Sequence, residues 1–163
     1  MQNKIRQASN HTTVSAPSNN QVVGNVGLYF VCYHLSRMGW NVMPTARNAK
    51  GIDILIYSQD ANRKLTVQVK ALSKSSPVPL GAKLTNLFGD FFVVCRRLET
   101  ATPECFVLTP SEVQTLAHRG EKDGKVSFWL QPKQYATDQF REKWERIGIG
   151  FAAANASSNE PDA

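Results

Sequence analysis

With 163 residues, 42% of them hydrophobic, the chain is the size of one domain and can build a core without disulfide or metal staples. Nineteen Lys and Arg against 13 Asp and Glu leave a formal net charge of +6, and a pI of about 9.4 points to an anionic partner. No apolar run reaches the ~18–20 residues of a membrane span, the polar opening MQNKIRQASNHTTVSAPSNN lacks the apolar stretch of a secretory signal, and Cys32, Cys95 and Cys105 form no CxxC pair, which argues against a zinc site or disulfide framework and predicts a cytoplasmic protein.

Residues 1–20, rich in Asn, Ser, Gln and Thr, read as a disordered N-terminal arm, and 151–163 as a disordered C-terminal tail, leaving one domain over 21–150. From Val22 to Met38 the residues Val23, Val26, Phe30, Val31, His34, Leu35 and Met38 recur at helical spacing, and Gly39 stands where a C-terminal cap belongs. A short extended piece, Trp40–Met43, is stopped by Pro44, and the loop Thr45–Lys50 is polar and basic. Ile52–Tyr57 and Leu65–Leu72 are β-branched-rich runs joined by a turn-forming cluster, which predicts a hairpin. Ser73–Lys83, with Pro77, Pro79 and Gly81, reads as a loop. Asp90–Arg96 and Cys105–Leu108 are further strands. Thr109, Pro110 and Glu112 make a capping-box start for a helix that runs to about His118. Val126–Leu130 predicts a strand, and Thr137–Ile147 a closing helix with Phe140 and Trp144 on one face. The order predicts an α/β fold, with helices covering a sheet.

Alternation along the two hairpin strands sorts their side chains. Ile52, Ile54 and Ile56 share one face of the first strand, and Val67, Val69 and Ala71 share one face of the second. The other faces carry Asp53 on one strand and Thr66, Gln68 and Lys70 on the next. A carboxylate, an amide and an ammonium on neighbouring strands suit phosphodiester hydrolysis. Mg2+ prefers hard oxygen ligands, which Asp53, the Gln68 amide and the Val69 backbone carbonyl can supply. Lys70 can position the attacking water or stabilise negative charge in the transition state. Before Asp53 the chain contains no acidic residue, yet holds Lys4, Arg6, Arg37, Arg47 and Lys50. The first half is therefore the better candidate for a phosphate-facing surface.

The stretch Gly24–Lys70 resembles the core of the PD-(D/E)xK nuclease superfamily, whose members include restriction endonucleases, Holliday-junction resolvases and repair nucleases. The resemblance rests on a helix, then Leu35-Ser-Arg-Met-Gly39-Trp, then Lys50-Gly-Ile-Asp-Ile-Leu-Ile56, then Leu65-Thr-Val-Gln-Val-Lys70. It implies a restriction endonuclease-like αβββαβ core, a mixed sheet flanked by helices, and a nuclease-like domain over 21–150. It also implies a metal-dependent DNA endonuclease of the restriction, repair or mobile-element kind, using Mg2+ (or Mn2+) and often a homodimer. By resemblance Asp53 takes the metal-binding aspartate position, Gln68 the second acidic position and Lys70 the catalytic lysine. Two departures stand out. Gln68 replaces the usual Glu or Asp, as in Mrr-like restriction nucleases, and Leu28 stands near the place where many relatives carry a helix glutamate. The alternative class is a catalytically silent nuclease-fold module that binds nucleic acid or a protein.

Arg47, Lys50, Lys74 and Lys83 flank the motif strands, where a groove that follows a DNA backbone would want them, although solvated charges look the same in a sequence. Asp60 and Asp90 are acids that could supplement the site. His34 reads as core-packed and His118 as the end of a helix. Trp40, Trp129 and Trp144 read as packing residues, and Tyr29 with Tyr33 as a candidate interface patch.

Overall fold

The computed structural model describes residues 19–45 and 51–151. Most of the expected arm over 1–20 and tail over 151–163, with Arg47 and Lys50, lies outside the described residues.

Helix α1 (Asn20–Arg37) is capped by Asn19, whose side-chain oxygen accepts from the Gln21 N–H at 2.9 Å. Val23, Gly27, Val31 and Leu35 are its buried residues, four apart on one stripe. After the C-cap Met38 the chain turns at Gly39, whose φ of +86° falls where a residue without Cβ is favoured. Strand β1 (Asn41–Pro44) pairs with β2 (Ile54–Tyr57), which pairs with β3 (Lys64–Ala71), both antiparallel. Asp60 fastens the β2–β3 turn, accepting from the Ser58 hydroxyl and from the Asn62 N–H at 3.1 Å. A crossover containing β4 (Val78–Gly81) and a 3-10 turn at Leu84–Asn86 leads to β5 (Phe91–Arg96), which lies parallel to β3. β6 (Glu104–Leu108) completes a five-stranded mixed sheet of order β1-β2-β3-β5-β6.

One face of this sheet packs on α1 through Ile54, Ile56, Val67, Val93 and Cys95. The opposite face, with Phe92, Val94, Phe106 and Leu108, is covered by α2 (Pro110–Leu116) and by a second, three-stranded sheet. α2 begins in the expected capping box, with the Thr109 N–H donating to Glu112 at 2.8 Å. The small sheet joins β4, β8 (Lys125–Leu130) and β7 (His118–Lys122) in that order. α3 (Pro132–Tyr135) and a 3-10 turn at Trp144–Arg146 follow. The result is a mixed α/β architecture, a mixed sheet flanked by helices.

Three expectations need correction. Ser73–Lys83 is not all loop: Val78 and Leu80 alternate inward and pair β4 with β8. Pro79 is tolerated because β4 is an edge strand with a register shift at Pro79/Gly81. His118 does not end a helix but opens β7. Asp123 (φ 52°) and Gly124 (φ 72°) form the two-residue turn between β7 and β8, both in the positive-φ conformation that such hairpins demand. The closing helix over 137–147 does not form. Arg141 bridges to Phe106, Glu142 takes φ 51° and accepts from the Cys105 N–H, and Phe140 and Trp144 enter different core clusters. Cys95 and Cys105 are direct cross-strand partners with sulfurs 2.9 Å apart, both buried free thiols. His34 does pack inward, its ring stacked 4.6 Å from Trp144, and burial lowers its pKa.

Candidate active site

Asp53 immediately precedes β2, and its backbone N–H donates to the Val67 carbonyl at 3.0 Å. Its carboxylate then turns onto β3: Asp53 Oδ2 accepts from the Val69 N–H at 2.7 Å. A side-chain oxygen thus takes a ladder donor, at the peptide link between Gln68 and Val69 and one residue before Lys70. Upstream, Gly51 at φ +75° leaves no room for a Cβ because the Phe88 ring lies against it. Thr45 closes the loop from its other side, donating from its hydroxyl to the Ile52 carbonyl at 2.6 Å.

Gln68 and Lys70 sit opposite Phe92 and Val94 of β5, so they project to the sheet face away from α1. Gln68 is 8% exposed, and its Oε1 has no hydrogen-bond partner among the described residues. An orphaned buried acceptor costs roughly 1–3 kcal/mol, and a cation is a natural ligand for it. The second Asp53 oxygen also takes no donor among the described residues. The Asp53 carboxylate, the Gln68 amide oxygen and the Val69 carbonyl are hard oxygens, a chemistry that fits Mg2+ or Mn2+. Lys70 is half-buried and makes no ion pair among the described residues. No three His, Cys, Asp or Glu side chains converge among the described residues, and α1 has no acid to add.

No protein-family model matches the chain, and no curated protein does. Among solved structures it is similar to a bacterial homing endonuclease, I-Ssp6803I, at 18% identity and a TM-score of 0.53, over 80% of this chain and 93% of that chain. The two chains share a fold.

Asp90 was not assigned a place by its sequence, and it lies on the other edge of β3. Its Oδ2 accepts from the Thr66 N–H at 2.7 Å and the Thr66 hydroxyl at 2.9 Å, and its own N–H returns to the Thr66 carbonyl at 3.0 Å. Two carboxylates therefore hold β3 from opposite sides, Asp53 at Val69 and Asp90 at Thr66. Leu84 and Leu87 pack into the second core cluster while Phe88 reaches Gly51, so the segment between β4 and β5 spans the flank of the site. Asp60 does not supplement the site, because the β2–β3 turn holds it at the far end of β2. Its pKa is lowered there, first by the Ser58 hydroxyl. Lys74 and Lys83 are exposed in the crossover between β3 and β5.

Proposed function

We propose that this chain is a metal-dependent DNA endonuclease of the PD-(D/E)xK type, hydrolysing phosphodiester bonds. The observation that carries the reading is the Asp53 carboxylate fixed 2.7 Å from the Val69 N–H, together with the unpartnered oxygen of Gln68, the residue before Val69 on β3. The fold shared with a protein named as a homing endonuclease supports it. Asp53, Gln68 and the Val69 carbonyl would hold Mg2+ (or Mn2+), which when bound supplies charge neutralisation at the phosphate and a more acidic water. The Val69 N–H orients the Asp53 carboxylate. Lys70 donates from Nζ to the attacking water or to the negative charge that grows on the phosphate. Arg47, Lys50, Lys74 and Lys83 grip flanking phosphates, an interaction that weakens as salt rises. Free buried thiols suit the cytoplasm. No described helix is long and apolar enough to cross a membrane.

A homodimer is part of this reading, since cutting both strands calls for two sites. Opposite its buried stripe, α1 exposes Val22, Val26, Tyr29 and Tyr33 at 42–64%, and no charged residue lies between Asn20 and Ser36. A helix apolar on both sides calls for a second cover. A second copy can supply it without burying a charge.

The test is incubation of purified protein with plasmid DNA and Mg2+, Mn2+ or chelator. Cleavage should need the cation and vanish in Asp53→Ala and Lys70→Ala, while gel-shift binding persists. A second reading, a silent nuclease-fold module that binds nucleic acid or a protein partner, is favoured by the absence of acids from α1. It predicts binding without cleavage under every cation. Cleavage that survives both substitutions would remove the site from consideration.

A further inference from the structure

The outer face of the small sheet is a second surface of distinct chemistry. Register aligns His118, Trp129 and Pro79 in one row across β7, β8 and β4, then Gly120 with Ser127, then Lys122 with Lys125. Opposed residues share a face. The inner face is defined by Val78, Leu80, Phe128 and Leu130, which pack into the second core cluster, so the row containing Trp129 faces outward. Trp129 is half-buried, and its six-membered ring lies so close to Gly120 that a Cβ there would collide with it. Around it Pro77, Pro79, His118 and Gln131 line an open depression of about 580 Å³. Trp40 and Trp144, by contrast, are core residues at 3% and 9% exposure.

Charge on this face runs one way. Lys122 and Lys125 stand directly opposite each other, an arrangement that is destabilising without an anion between them. Glu121 belongs to the other face of β7 and is held by Arg119 at 2.8 Å. Asp123 lies in the turn between them and forms no ion pair with either lysine among the described residues. The inner-face residues explain the folding of the sheet. They do not explain an aromatic platform walled by prolines and bordered by paired cations.

We propose that this face binds a nucleic-acid strand, with an unpaired base stacked on Trp129 and its phosphates on Lys122 and Lys125. Stacking of this kind tolerates any base, because every base has a π-face, whereas the lysines supply salt-sensitive attraction. The site is separate from Asp53 and does not depend on whether that site cuts.

Fluorescence anisotropy of a labelled single-stranded oligonucleotide, over a salt series, tests it on the full chain. Trp129→Ala should raise Kd by roughly 10-fold or more, and Trp129→Phe, which keeps a stacking ring, by much less. The exposed double substitution K122Q/K125Q should flatten the dependence of log Kd on log salt by about 1–2. The titrations are run with chelator present, so that no cation at Asp53 contributes, and loss of cleavage and loss of this binding are read separately. Parental Kd and salt slope in Trp129→Ala and K122Q/K125Q would overturn the proposal. So would a polyglutamate peptide that competes as well as the oligonucleotide, since that occupant would need charge alone.

Discussion

The two faces of the five-stranded sheet are closed in different ways. Over one, α1 lies so close that Gly27 has no room for a Cβ against Ala71, and Val31, Leu35, Ile54, Ile56 and Val67 are fully buried. Over the other, the small sheet and α2 seal Phe92, Val94, Phe106 and Leu108, while on neighbouring β3 the same face carries buried Gln68 and half-buried Lys70. Apolar closure supplies stability. The polar pair on the second face is partly desolvated, which is costly unless a partner compensates. The proposed site lies on this second face, where polar side chains stand among the apolar ones.

Breaking the closed face should have the largest effect. Leu35→Ala removes a side chain with 0% exposure and should cost about 3 kcal/mol in urea denaturation. A loss below about 1 kcal/mol would mean that α1 is not part of the cooperative core. Next comes the polar brace at the rim of the second face. Glu104 joins Arg96, at 2.8 Å, to Arg141. Burial raises its pKa, but the bond and charge of Arg96 and the charge of Arg141 outweigh this and leave it lowered. Glu112 is lowered likewise: burial raises it, and Arg146 with Thr109 overcomes that. Glu104→Gln should cost about 2 kcal/mol. A depressed carboxylate stabilises the fold above its unfolded pKa, so this contribution should be intact at neutral pH and fade as pH falls below about 4.3. In Glu104→Gln that acid loss should be shallower in a pH series of melts.

The smallest effect sharpens the contrast most. Gln68→Leu fills the same space without an orphaned acceptor, so it should stabilise the fold by about 1 kcal/mol while weakening cation binding. Destabilisation would show that Gln68 has a structural partner and is not held for a ligand.

Local signals made much of this legible in the sequence. Alternation in Ile52–Tyr57 and Leu65–Leu72 gave both hairpin strands to within two residues, and Gly39 and the Thr109 capping box marked helix boundaries. The grouping of Asp53 with Gln68 and Lys70 follows from the same parity. What escaped depends on distant pairing. β4 carries Pro79 and Gly81 and becomes a strand through β8, on the far side of β5, β6 and α2 in the chain. β7 could have been found from Asp123-Gly124, a hairpin signal set before an apolar run. The helical spacing of Phe140 and Trp144 misled because a reversal at Glu142 sends them to separate cores. Asp90 had no local mark, since its partner Thr66 precedes it by 24 residues.

If Asp53 and Gln68 form the proposed hard-oxygen cation site on β3, the folded protein binds Mn2+. Thermal unfolding with and without Mn2+ tests it without reference to cleavage, because a ligand that binds the folded state raises its melting temperature. A Mn2+-dependent rise is expected in the parent protein, lost in Asp53→Ala and reduced in Gln68→Leu. An equal rise in all three proteins, or none in the parent at millimolar Mn2+, would contradict it.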